Sequence, residues 1–466
     1  MLYDWLVVFF VHEILQDQII VNDSINNILN KGCHDNTIFF LIRDSIIQPP
    51  GSDSMFFKLS ISMLERNAVS GGFTFTEVND FKFDNLNKNC WRDGFQYVFS
   101  KIKCRRRILI TLSHGSALGI DVDKIKIKRA QNTPLSFTDY TIEPNENQLH
   151  LFSNDFYLIS KDDSSILAGH RLYLEDSDLK NIESGYIKKD SKFRHCRSLE
   201  ILWINDLADT LCEILHEIPV DIVLMVNCFM QSFDAGYILR NQVEYLIAPE
   251  ASISSRGYDY PKLLEYLKEP GIPTESLVEK IVLDYKNMYR PDDANFLMTA
   301  VFGNHLKKYK EALSLFENFI VILDNCMDKV IENLVAIRND IMYVSFIGTN
   351  FNYHYPDMID VFLWINLVLE RLPEIFDDKM LGNKFGELLG QTVVAKFVGN
   401  TLAEHDKSGF PKLGFNGISL FYPTKNDYRN LEDMPFCGYF DKKIPSAFRR
   451  DSSWTLFLNK YYSLSK

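Results

Sequence analysis

Ile222 to Val226 is an unbroken apolar run that stops at Asn227-Cys228. A strand buried on both faces reads this way, and such strands belong to parallel sheets covered by helices. The residues that follow space Phe229, Phe233 and Tyr237 on one helical face. Cys228 is therefore expected where a buried strand hands over to a helix. In open α/β sheets that carboxyl edge is where ligands bind. A thiol at a helix start lies near backbone N–H groups, which favour the thiolate.

A second stretch has the same form. RILITLSHGSALG, from Arg107 to Gly119, is an apolar run ending in Ser113-His114-Gly115-Ser116. If the two strands are neighbours, His114 and Cys228 share one edge of one sheet. A cysteine nucleophile needs an adjacent base, and histidine is the usual one. A lone Cys ending a core strand is usually packing, and a lone loop His usually has no role. Both at matching strand ends, flanked by small or polar residues, point to function.

These segments resemble those of the clostripain-like cysteine peptidases (family C11, clan CD), relatives of the caspases. That family carries a His-Gly pair after one strand and Asp-Ala-Cys after a later one. This chain reads SHGSALG and MVNCFM, with Val226 at the Asp position and Asn227 at the Ala position. Downstream, YLIAPEASISSRGYDY (Tyr245 to Tyr260) resembles the family's strand and loop after the nucleophile helix. YPDMIDVFLWI (Tyr355 to Ile365) resembles its Ile-Asp-Leu helix, GISLFYP (Gly417 to Pro423) its late strand, and WTLFLNKY (Trp454 to Tyr461) its closing helix. Their order makes the set specific.

The resemblance implies a caspase-like α/β/α sandwich with a mostly parallel central sheet, and a cysteine endopeptidase acting on protein or peptide substrates. His114 would take the thiol proton and Cys228 would attack the scissile carbonyl. The backbone N–H groups of Gly115 and Cys228 are the candidate oxyanion donors, since Gly lets substrate approach the backbone closely. No third residue is assignable, as befits a dyad. The resemblance also places a carboxylate, for a basic substrate side chain, two residues before the nucleophile. Here that residue is Val226. A second acidic position falls at Arg256 when residues are counted on from Cys228. Asn227, Glu250 and Asp259 complete the expected substrate-binding set, and Glu250 or Asp259 is the alternative source of the charge. A cytoplasmic protease of this kind implies latency, released by processing or by an activating partner protein. A bacterial defence or cell-death role follows by fold-level analogy.

The net charge of -12 argues against non-specific nucleic-acid binding, which needs a basic surface. Eight cysteines are scattered without a CxxC pair or zinc-finger spacing. They read as thiols of a reducing compartment. Trp5 to Val11 is too short to span a bilayer and lacks a basic flank and cleavage site. It is read as an internal strand, and the protein as cytoplasmic with no membrane partner. No metal or organic cofactor follows from the chemistry. Some relatives are calcium-dependent, but the chain has no acidic loop of EF-hand type. None of the other histidines shows metal-ligand pairing. Cys104, Cys212 and Cys326 read as core thiols.

Four segments are expected: 1–123 with His114, 124–197 as a β-rich insertion or lid, 198–270 with Cys228, and a helical 271–466 with a closing strand. Strands are predicted at Trp5–Val11, Thr37–Asp44, Phe56–Ile61, Phe73–Val78 and Met342–Gly348. Inside the insertion they fall at Leu149–Phe152, Phe156–Ile159 and His170–Leu174. Helices are predicted at Glu13–Leu29, Asn89–Ile102, Leu199–Leu215, Leu263–Leu267, Thr274–Tyr289, Asp357–Phe376 and Asn383–Gly399, with one helix or a pair over Leu313–Arg338. Pro49 to Ser52 is a loop. Two other readings stand beside the enzyme. The replacements at Val226 and Asn227 suit a catalytically impaired scaffold that binds or regulates. A flavodoxin-like ligand binder would need a Gly-rich phosphate loop, and Val11-His12-Glu13 offers none.

Overall fold

The computed structural model describes residues 2–12, 18–47, 56–83, 88–113, 119–120, 141–142, 147–152, 155–160, 166–173, 197–200, 202–216, 218–254, 256–288, 299–342, 344, 358–376, 379–399, 414–424 and 446–465. The strands are β1 Tyr3–His12, β2 Thr37–Ile47, β3 Phe56–Arg66, β4 Phe73–Phe83, β5 Cys104–Leu112, β6 Gly119–Ile120, β7 Thr141–Ile142, β8 Asn147–Phe152, β9 Asp155–Ser160, β10 Ile166–Tyr173, β11 Arg197–Glu200, β12 Leu202–Trp203, β13 Val220–Val226, β14 Val243–Pro249, β15 Ala300–His305, β16 Met358–Asp360, β17 Val393–Val398 and β18 Ser419–Phe421. The α-helices are α1 Gln18–Lys31, α2 Lys88–Lys101, α3 Ile204–Leu215, α4 Phe233–Leu239, α5 Tyr260–Tyr266, α6 Thr274–Met288, α7 Tyr309–Asn339, α8 Val361–Arg371, α9 Lys379–Thr392, α10 Ala447–Asp451 and α11 Trp454–Leu464.

The centre is a nine-stranded sheet ordered β17-β15-β14-β13-β5-β1-β2-β3-β4. β14, β13, β5, β1 and β2 run parallel to one another. Antiparallel strands extend both sides, β15 and β17 beyond β14, β3 and β4 beyond β2. The continuous apolar runs occupy the parallel centre because helices cover both faces there. Along β1, Leu6, Val8 and Phe10 face one core with Trp91 and Phe95 of α2, Leu207 and Leu211 of α3, and Phe316 of α7. Trp5, Val7, Phe9 and Val11 face the other, with Ile25 and Ile28 of α1, Leu264 of α5 and Val282 of α6. The chain is an α/β sandwich, as expected.

Several elements depart from the sequence reading. The helix expected from Leu199 begins at Ile204, because Leu202-Trp203 pairs antiparallel with Gly119-Ile120. That short ladder joins the two ends of the segment between β6 and β12. Within it, β11-β10-β9-β8-β7 form an antiparallel sheet of their own. The helix expected from Asp357 begins at Val361, since Asp360 accepts the Leu363 N–H at 2.7 Å and so caps it. The helix expected to run to Gly399 stops at Thr392. Val393-Val394 opens β17 instead, for β-branched residues fit a strand and β15 offers an edge to pair with. β15 has no sequence counterpart, because Gly303 and Asn304 are residues that strands usually avoid. Gly303 is required by packing: a Cβ there would lie 2.4 Å from Val278 Cγ1 of α6. Leu313–Arg338 lies in one helix, α7, of 31 residues. Met342–Gly348 and Pro49–Ser52 fall largely or wholly outside the described residues. Cys212 is exposed rather than core, while Cys104 and Cys326 are half-buried. No helix among the described residues is long and apolar enough to cross a membrane.

Candidate active site

β5 and β13 are adjacent and parallel, with Leu112 opposite Val226 and Thr111 opposite Met225. His114 follows Leu112 by two residues, and Cys228 follows Val226 by two. The expectation that the two apolar strands are neighbours thus holds. His114 and Gly115 themselves lie outside the described residues, and Ser113 is the last described residue before them.

Cys228 is half-buried at the carboxyl end of β13. Its Sγ accepts the Ile253 N–H at 3.5 Å and lies 3.9 Å from the Ile253 carbonyl oxygen. The thiol does not sit at a helix start, contrary to expectation. α4 begins at Phe233, with Ser232 capping it by accepting the Ala235 N–H. The sequence carries that signal in Ser232-Phe233-Asp234, a cap residue before an acidic first turn. Between strand and helix, Phe229 adopts φ of 63°. This left-handed conformation costs a non-glycine residue roughly 1–2 kcal/mol. It persists because bonds on both sides fix it. The Phe229 N–H donates to Ala251 O at 2.9 Å, and the Gln231 N–H to Pro249 O at 3.0 Å. The Ser419 N–H, at the start of β18, donates to Gln231 O at 3.0 Å.

The expected substrate-binding residues divide sharply. Val226 is buried beside Gly257, where an added Cβ would come 3.0 Å from Val226 Cγ2. Asn227 is fully enclosed. Its Oδ1 accepts the Thr111 hydroxyl at 2.6 Å, and its Nδ2 donates to Ser113 O at 3.1 Å. Its partners are thus two residues of β5 and the turn after it, not the position facing a substrate that the sequence reading gave it. Glu250 is also fully enclosed, accepting the Gly417 N–H at 2.8 Å. Burial, then the neighbouring Asp360 carboxyl, pushes its own carboxyl well above the usual range. Asp360 is raised too, by burial, against the lowering effect of bonds from Leu363 and Asn416. Asp259 caps α5 by accepting the Lys262 N–H at 3.1 Å. Arg256 is exposed, and its carbonyl accepts the Ser24 hydroxyl at 3.4 Å. Glu250 and Asp259 are therefore both engaged within the fold. Enclosure of Glu250 removes it from any surface a substrate touches.

Sequence reasoning missed the scaffold behind the turn that carries Cys228. Gln231, Asn304, Asp360 and Ser419 are all fully buried. Asn304 Nδ2 donates to Gly417 O at 2.8 Å and to the Tyr309 hydroxyl at 2.9 Å. The Ile-Asp and Gly-Ile-Ser motifs carry Asp360 and Ser419, but nothing in their local pattern says that they meet Gln231 and Asn304. A second histidine, His12, ends β1 beside β5. It is enclosed against the Asp44 carboxylate and the Trp91 ring. Among the described residues no group of three or more His, Cys, Asp or Glu side chains is placed to hold a metal ion.

A half-buried thiol at the carboxyl edge, one strand from the end of β5, suits nucleophilic attack. Comparisons with known proteins agree with that chemistry. The profile of the clostripain family matches residues 181–461, a span that includes Cys228 and starts downstream of His114. No curated protein matches the chain. Among solved structures, the chain resembles a secreted C11 cysteine protease from Bacteroides thetaiotaomicron, at 12% identity and TM-score 0.53, covering 100% of both chains. It also resembles an inactive zymogen C11 protease from Parabacteroides distasonis, at 12% identity and TM-score 0.54, covering 92% of this chain and 96% of that one. At such identity these likenesses speak to the fold. The family match covers more than half of the chain, from before β13 to the closing helix, and the chain accordingly belongs to the clostripain family of cysteine endopeptidases.

Proposed function

We propose that Cys228 is the nucleophile and His114 its general base in the hydrolysis of peptide bonds within protein substrates. The supporting observation is the parallel pairing of β5 with β13, Leu112 opposite Val226, with His114 and Cys228 each two residues further on in sequence. His114 takes the thiol proton, and the sulfur attacks the scissile carbonyl carbon. The carbonyl π pair moves to oxygen, where the Gly115 and Cys228 N–H groups receive it. Collapse breaks the C–N bond, and His114 returns the proton to the leaving amine. Water, deprotonated by His114, then hydrolyses the thioester.

A peptidyl electrophile tests this reading. It should label Cys228 in the wild type and fail to label His114→Ala. Cys228→Ala should lose about 10⁴-fold or more of its cleavage rate on every protein substrate. Full activity in that variant would end the proposal.

The same reading makes the enzyme latent until processed or met by a partner protein. The polar stretch from Glu183 to Arg197 is the proposed processing element, since it ends where β11 and β12 lead into the nucleophile half. Deleting it should change activity. Purified protein that is fully active and never nicked there would refute the idea. The proposed setting is the cytoplasm, in a defence or cell-death response. The scattered cysteines support it. Fractionation of cells making the full chain would decide it.

A further inference from the structure

We propose that Asn227 is a positioning residue: its amide fixes the peptide that leads into His114 against the turn that carries Cys228. The inference rests on the dyad reading above and deepens it.

The ladder between β5 and β13 weakens where the chemistry begins. Its last rung, the Ser113 N–H to Val226 O, is stretched to 3.4 Å, against about 2.9–3.0 Å for a typical amide bond. Beyond that rung the Asn227 side chain takes over. It bridges the two strand ends at two points, accepting from Thr111 and donating to the Ser113 carbonyl. The Ser113 carbonyl and the His114 nitrogen belong to one planar peptide unit. Holding that oxygen therefore sets the direction in which the chain leaves towards His114. Cys228 is the next residue after Asn227, so one side chain constrains both partners of the dyad. The two loops are otherwise more than a hundred residues apart in sequence.

The chemistry requires an amide. Asn227 and Thr111 are fully buried and Ser113 nearly so, and the position needs one acceptor and one donor on a short stem. Aspartate keeps the shape and the acceptor but loses the donor, and sets two oxygens face to face at Ser113. Alanine, which the family pattern carries here, removes both contacts. The bond to Ser113 is thus a device of this chain.

The test compares Asn227→Asp, Asn227→Ala and Thr111→Val with wild type and His114→Ala. Each is read by kcat and KM on a protein substrate, by the thermal midpoint, and by the pH dependence of Cys228 alkylation with iodoacetamide. The inference expects both Asn227 variants to lose about 100-fold in kcat, the cost of a misplacement near 1 Å, with KM changed less than about 3-fold. Their alkylation curves should shift towards that of His114→Ala. Thr111→Val, which leaves the Ser113 bond in place, should keep the wild-type curve. If the Asp variant fails to fold, the Ala variant carries the test. Wild-type kcat and alkylation in a folded Asn227 variant would overturn the inference, as would a loss confined to KM, which would mark Asn227 as a substrate contact. If His114→Ala itself keeps the wild-type alkylation curve, the dyad reading fails first and takes this inference with it.

Discussion

Val226, Asn227 and Cys228 are consecutive residues in three environments. Val226 is buried against Gly257, Asn227 is enclosed with its amide bonded to β5, and the Cys228 thiol is half-buried at the edge. Strand geometry sends successive side chains to opposite faces, so adjacency in sequence says little about shared surroundings. For the same reason, the expectation of a substrate contact at both Val226 and Asn227 meets two buried side chains. A prediction about specificity follows from the carboxylates. Val226 can pair with no cation, Glu250 is enclosed and Asp259 caps a helix. A buried unpaired guanidinium or ammonium costs roughly several kcal/mol. The activated enzyme should therefore cleave after apolar or acidic residues in a peptide library read by mass spectrometry. Dominance of Arg or Lys before the scissile bond, unchanged in Arg256→Ala, would refute this and place the carboxylate elsewhere.

At the scale of elements, the apolar runs were legible and their ends were not. β1, β5 and β13 fall where continuous Val, Ile and Leu demand burial on both faces. The start of α3 and the end of α9 are set by partners distant in sequence, β6 and the edge of β15, whereas α8 starts at its local Asp360 cap. α4 is short but critically packed. A Cβ on Gly236 would stand 2.1 Å from the Tyr309 ring, and that ring is enclosed and bonded to Asn304. Neither side can yield, because buried rings sit at crystal-like density. Gly236→Ala should therefore destabilise the fold by about 1–3 kcal/mol, seen as a lower urea midpoint. An unchanged midpoint would mean that Tyr309 has room to move.

At the scale of the whole molecule, the Glu250–Asp360 pair lies behind the turn that carries Cys228 and ties the loop after β14 to the segment leading into β18. Burial, then the mutual repulsion of the pair, raises the Glu250 carboxyl; burial raises Asp360. The buried Tyr309 hydroxyl interacts with Glu250 and is also raised by burial. A carboxyl with a raised folded pKa binds protons more tightly in the folded state than in the unfolded one. Its favourable contribution is complete below about pH 4, the unfolded carboxylate value, and falls as pH rises towards the folded value. Glu250→Gln keeps an acceptor for the Gly417 N–H and gives a donor to Asp360 without needing a shared proton. Its urea midpoint should decline less than wild type between pH 5 and pH 8.5. Equal declines in the two proteins would show that the pair carries no proton linkage.

By itself the sequence determined the buried parallel strands and the family whose motifs run from Tyr245 to Tyr461, and it offered His114 and Cys228 as the candidate pair. Each of these is written locally, in apolar periodicity or in a short ordered motif. Tertiary structure alone decided that Phe229 turns left-handed before a helix capped at Ser232, that Asn227 bridges β5 rather than faces substrate, and that Glu250 meets Asp360 and Gly417 in the interior. Those outcomes depend on which distant groups reach the same few ångströms. A polar side chain takes its role from the partner that satisfies it once water is excluded, and that partner is fixed only when the sheet has closed.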